Sequence, residues 1–125
     1  MSKFLDFMLR PDAPRVKDEM PKATYEIKRL SDLAGKDEKV TVELHGLPYG
    51  KAQELKVIGR DQEVMILLAG CPELKAPELA AKFGGASPAE TVKAMLLPGE
   101  IADLSRAVER LSGYRQNTIE EIKNS

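Results

Sequence analysis

Val40-Thr41-Val42-Glu43-Leu44-His45-Gly46-Leu47-Pro48 is the stretch that decides the fold. Val40, Val42 and Leu44 fall on one side of an extended chain, and Thr41, Glu43 and His45 on the other. That is the period-two pattern of a half-buried strand. Past Gly46 the period lengthens. Pro48 suits a first helical turn, where its missing N–H costs nothing, and Ala52, Leu55 and Ile58 follow at spacing three. Upstream, Thr24-Tyr25-Glu26-Ile27-Lys28-Arg29-Leu30 mixes β-branched and aromatic residues in partial alternation and reads as the partner strand. Ser31 to Lys39 holds Gly35 among charges and reads as a long loop, so strands over 24–30 and 40–46 form an antiparallel hairpin. Two strands alone are marginal in water, so helices must cover their apolar face.

The helices follow downstream. Gly59 marks a break. Asp61, Gln62 and Glu63 make a favourable first turn, and Val64-Met65-Ile66-Leu67-Leu68-Ala69 is apolar on every side, as a helix at the centre of the core would be. Pro77 opens a helix expected to turn Leu79, Ala80 and Phe83 inward, with Gly84-Gly85 as its stop. Ser87-Pro88-Ala89-Glu90 fits a capping box, ahead of Val92, Met95 and Leu96. Pro98 opens the last main helix, where Ile101, Leu104, Val108 and Leu111 form a stripe. Gly113 suits the left-handed closing position, and Tyr114 packs back. The expected fold is α+β, a mostly helical small domain with an N-terminal β-hairpin packed against a cluster of four to five short helices.

The ends are different in character. Residues 1–10 read as an amphipathic helix capped by Ser2, with Phe4, Leu5, Phe7, Met8 and Leu9 on one broad face and Pro11 as its stop. A helix this short is marginal alone and must dock on something. Residues 11–23, with Pro11, Pro14 and Pro21 among charges, read as a linker. Residues 24–114 form the single α+β domain, and 115–125 a polar tail in which Ile119 and Ile122 support one frayed turn at most.

Composition excludes several classes of function. With 42% hydrophobic residues, 125 residues suffice for one core, which excludes wholesale disorder. No apolar run reaches the ~18–20 residues that cross a bilayer. Asp6 and Arg10 interrupt any signal-peptide-like run, so the cytosol is the expected location. Nineteen basic against twenty acidic residues give a net charge of −1, with no global field toward nucleic acid or anionic lipid. Arg15, Lys17, Lys22, Lys28 and Arg29 lie among acids and read as solvated surface. Aromatics are 5% and Trp is absent, too few to stack single-stranded bases.

One Cys and one His cannot form a Cys/His zinc site within a chain. Cys71, beside an apolar run, reads as an inert buried thiol, and His45 as a solvent-exposed residue on the strand's polar face. The carboxylates read as scattered, solvated ion pairs. No nucleophile–base pair and no phosphate loop emerges from spacing. No catalytic residue, metal or cofactor is therefore expected.

From residue 66 the chain becomes recognisable. Ile66-Leu67-Leu68-Ala69-Gly70-Cys71-Pro72-Glu73-Leu74 leads through Pro77-Glu78-Leu79 and Phe83-Gly84 to Lys93-Ala94-Met95-Leu96-Leu97-Pro98-Gly99-Glu100, closing with Leu111-Ser112-Gly113-Tyr114. This resembles the XkdN-like tail assembly chaperones of Gram-positive prophages. The most specific piece is the motif ending in Met95, Leu96, Leu97, Pro98, Gly99 and Glu100. Phe4-Leu5-Asp6-Phe7-Met8 and Glu26-Ile27-Lys28 are also similar, which extends the likeness to most of the chain. The stretch between the second strand and the central helix is shorter than in the family, and the tail matches loosely at Ile119-Glu120-Glu121-Ile122-Lys123.

The resemblance implies a non-catalytic protein of the bacterial host cytoplasm, encoded between tail tube and tape measure genes. It would coat the tape measure protein during tail assembly and then leave; in the mechanism favoured from the residues, weak contacts let tail tube protein, a second candidate partner, displace it. The residues themselves nominate Phe4, Leu5, Phe7 and Met8 as a surface for a partner or for self-association, with simple packing on the domain's own core as the alternative. Two other readings compete: a structural tail subunit retained in the particle, and a small nucleic-acid-binding regulator, which the near-neutral charge disfavours.

Overall fold

The computed structural model describes residues 2–35 and 37–122 and shows an α+β fold, mostly helical, with one antiparallel hairpin. Helix α1 (Lys3–Met8) comes first, capped by the Ser2 hydroxyl, which accepts from the Leu5 N–H at 3.1 Å. Strands β1 (Lys22–Glu26) and β2 (Thr41–His45) pair with Lys22 opposite His45 and Glu26 opposite Thr41. The alternation read from β2 holds: Leu44 is fully buried, Val42 half-buried, Thr41 and Glu43 exposed.

The partner strand sits earlier than the sequence suggests. It begins at Lys22, inside the segment read as linker, and ends at Glu26 rather than Leu30. Lys28–Ala34 is a helix, α2, in place of strand end and loop. Lys28, Arg29, Leu30, Leu33 and Ala34 favour helix over strand. Ile27 is the pivot: its N–H still bonds to Val40 across the hairpin, while its carbonyl accepts from Leu30 and Ser31 and so starts the helix. The buried Ser31 hydroxyl accepts from the Val40 N–H at 2.8 Å and ties α2 to the start of β2. Gly35, at φ 120°, ends α2 in a conformation that side chains rarely adopt.

Helices α3 (Tyr49–Lys56), α4 (Gln62–Gly70), α5 (Pro77–Phe83), α6 (Pro88–Met95) and α7 (Pro98–Leu111) form the expected cluster, with a 3-10 turn at Pro72–Lys75. Helix α4 is the hub. It packs on α7 most extensively, and on α3, α6 and the 3-10 turn, with Leu67 and Leu68 buried. The α7 stripe closes the core through Ile101, Leu104 and Val108, joined by Ala107. At Gly70 α4 packs tightly on α7 and β2: a Cβ there would lie 2.8 Å from Val108 Cγ1 and 2.9 Å from the His45 carbonyl oxygen.

Three further expectations need correction. Helix α3 ends at Lys56, so Ile58 lies outside it, half-buried. Helix α5 is peripheral: Leu79 is half-buried, but Ala80 and Phe83 are exposed, and the Lys82 ammonium sits 5.6 Å from the Phe83 ring centroid. At Ser87 only half of the capping box forms. The hydroxyl accepts from Glu90 N–H at 3.3 Å, while the Glu90 carboxylate turns to Lys93 instead, at 2.9 Å. Gly113 closes α7 at φ 98° as expected, and Tyr114 packs against the core. The tail forms no helix among the described residues, and Ile119 is exposed.

Candidate partner-binding site

The motif at 93–100 builds the corner between α6 and α7. Leu96 is extended and buried. Leu97 is extended too but half its surface faces solvent, and Pro98 starts α7. Glu100, in the first turn of α7, accepts from the Leu97 N–H at 2.7 Å. Its carboxylate also takes both arms of the Arg29 guanidinium, at 2.9 and 3.0 Å, and the same guanidinium donates to the Met95 carbonyl at 3.2 Å. Bidentate pairing of this kind fixes geometry as well as adding energy. Arg29 thus locks the hairpin's helix α2 to the α6–α7 corner.

The pair perturbs both titrations. Arg29 holds the Glu100 carboxyl below the ordinary carboxylate range, partly offset by desolvation. The guanidinium is raised in turn, mainly by its hydrogen bond to Glu100. Arg29 is therefore not the solvated residue its neighbours in sequence suggested, and Glu100 is not a scattered surface acid. The two are 71 positions apart, a distance no spacing rule bridges. The motif residues Met95, Leu96, Leu97, Pro98, Gly99 and Glu100 come together at this corner. A Cβ at Gly99 would meet nothing within 4 Å, and nothing in the structure explains a glycine there.

Helix α1 is the second feature, and it is separate from the first. None of its side chains is buried, and none belongs to the core or packs against it. Phe4 is 70% exposed and Leu9 69%, with Leu5, Phe7 and Met8 each near 45%. Arg10 stabilises the helix end, lying 4.9 Å from the Phe7 ring centroid and pairing with Asp12 at 2.9 Å.

The third feature, which sequence reasoning missed, is an apolar groove at the far end of α7. Val16, Met20, Pro21, Leu47, Tyr49 and Leu111 line a cleft of about 310 Å³. A second cleft of about 210 Å³ shares Leu47, Ser112 and Tyr114 with it and reaches down to Leu55 and Ile66. The floor is tightly held. Leu47 N–H donates to the Ser112 hydroxyl at 2.7 Å, and that hydroxyl donates to the Val108 carbonyl at 2.8 Å. The signal was there in the exposed side chains of Val16 and Tyr49, but nothing in sequence places 16, 49 and 111 together.

The lone reactive residues are quiet. Cys71 is fully buried, and burial together with nearby Glu73 pushes its thiol up to about 11. A thiol so raised is a poor nucleophile at neutral pH. His45 is half-buried rather than solvent-exposed, its Nδ1 2.8 Å from the Gly46 carbonyl oxygen. Among the described residues no three His, Cys, Asp or Glu side chains cluster so as to hold a metal ion, and no helix is long and apolar enough to cross a membrane.

Fold and surfaces together define a small α+β protein that presents unburied apolar side chains on an N-terminal helix and along a groove. The chain belongs to the phage XkdN-like tail assembly chaperone family, whose model matches residues 60–123, just over half of it. The match takes in α4 to α7, the motif corner and the tail up to 123, and it leaves out α1 and the hairpin. No curated protein and no solved structure matches the chain.

Proposed function

We propose that this protein binds the tape measure protein during tail morphogenesis in the bacterial host cytoplasm, masks its apolar helical stripes, and is then released. The observation that carries this reading is α1, an apolar helix face that the fold leaves uncovered. Membership in a tail assembly chaperone family supplies the context. A tape measure chain is long and helical, and it exposes apolar stripes until the tube encloses it. Helix-to-helix contact through anchors at i, i+3 and i+4 suits such a client, and Phe4, Phe7 and Met8 have that spacing.

A face of one short helix gives weak contacts. Weakness fits the task, because tube subunits must displace the chaperone. Many copies along one client still keep it in solution, since each covered stripe is one fewer site for aggregation.

Co-expression with the tape measure protein of the same phage tests the reading. The soluble yield of the tape measure should rise severalfold. Phe4→Asp with Phe7→Asp should abolish most of that rise while leaving the fold intact, because neither ring is in the core. A full rescue by the folded double variant would remove α1 from the mechanism.

A further inference from the structure

We infer that the free edge of β1 pairs antiparallel with the same edge of a second copy, joining two hairpins into one four-stranded sheet. The phase of the hairpin shows which groups that edge offers. The Gly46 N–H donates to the Pro21 carbonyl at 2.9 Å, and the Ile27 N–H to the Val40 carbonyl at 3.0 Å. In this register the odd-numbered residues of β1 turn their backbone groups toward β2, and Lys22, Thr24 and Glu26 turn theirs away. Among the described residues nothing bonds to those outward groups. Strand β2, by contrast, packs against α7, and its His45 carbonyl lies beside Gly70 of α4, whereas β1 packs extensively on β2 alone.

The charges point to a second copy as the occupant. Lys22, Thr24 and Glu26 are exposed, and among the described residues neither Lys22 nor Glu26 has an ion-pair partner. Thr24 set opposite Thr24 of another copy, with the strands antiparallel, places Lys22 opposite Glu26 on both sides of the two-fold axis. Opposite charges directly across a strand pair stabilise it, and like charges do the reverse. In this register alone all three outward residues of each chain are paired. A shift by two leaves one of them unpaired, and a shift by four sets Lys22 on Lys22 or Glu26 on Glu26. A lysine on an open edge ordinarily deters strand pairing. Here Glu26 offsets it, and does so for an antiparallel copy in that one register.

The same arrangement sets Ala23 of one copy beside Tyr25 of the other on the opposite face, a small residue against a ring, both half-buried in the single chain. The chain turns into α2 after Ile27, so the edge is short. Two-fold pairing fills it and leaves no end to propagate. An interface of this length is small, and the association is correspondingly weak.

Sedimentation equilibrium of the full chain, with no client present, tests the inference independently of the chaperone reading. The wild type should dimerise reversibly with a Kd on the order of 100 µM. Thr24→Pro removes an N–H that the hairpin does not use, so it should abolish the dimer while circular dichroism shows the fold retained. Lys22→Glu and Glu26→Lys should each weaken the dimer about tenfold or more, and the two together in one chain should restore it. Mixing the two single variants should give a heterodimer, since both charge pairs are then opposite. Phe4→Asp with Phe7→Asp should leave the dimer unchanged, which separates this edge from α1. A wild type still monomeric at about 1 mM would overturn the inference. So would a dimer indifferent to Thr24→Pro, or one lost in the α1 variant.

Discussion

Glu100 shows how much one side chain can organise. It caps α7, receives Arg29, and through Arg29 holds the Met95 carbonyl, so two segments distant in sequence, α2 and the 95–100 corner, meet at one carboxylate. Its folded-state pKa lies below the ordinary value of ~4.3. The ionised form therefore favours folding, and this contribution is complete above pH ~4.3 and disappears as pH falls through the lower, folded value. Glu100→Gln should lower stability at pH 7 by roughly 1–3 kcal/mol, the range for losing hydrogen bonds to a charged group. Urea midpoints measured from pH 7 down to pH 3 should show the gap between wild type and variant closing below pH ~4.3. A gap constant over that range would mean that Glu100 acts by shape alone. The sequence showed this acid only as the last residue of the motif; its partner was hidden because pairing across 71 positions is a product of the fold.

At the scale of elements, periodicity was legible wherever one face of a segment meets the core. The β2 alternation, the all-apolar α4 and the α7 stripe are each a direct record of burial. Legibility failed where a segment is short or lies at the margin. Residues 27–30 carry β-branched and aromatic neighbours, yet helix wins there because the backbone groups of Ile27 serve hairpin and helix at once. Helix α5 has an apolar pattern but too little neighbouring structure to bury Phe83. Helix α1 was read correctly as a short helix, while the groove went unseen because its walls come from four separate stretches. Since no α1 side chain is in the core, removing residues 1–8 should leave the melting temperature of the monomeric chain within ~3 °C of the wild type. A much larger drop in scanning calorimetry at low protein concentration would show that α1 does support the core.

Across the whole molecule, the core and the uncovered helix α1 occupy different parts of the chain. Helices α4 to α7 carry the family match and most of the core, whereas α1 lies outside that match and carries apolar surface with no internal role. A helical body with an added apolar segment is the arrangement on which the proposed weak, releasable binding rests.

Release separates a chaperone from a retained tail subunit, so the most direct measurement is quantitative mass spectrometry of the tape measure protein isolated at two stages. The account predicts many copies of this protein per tape measure before tube polymerisation, and none in finished particles. Stoichiometric amounts in finished particles, or none on the tape measure at the early stage, would contradict it.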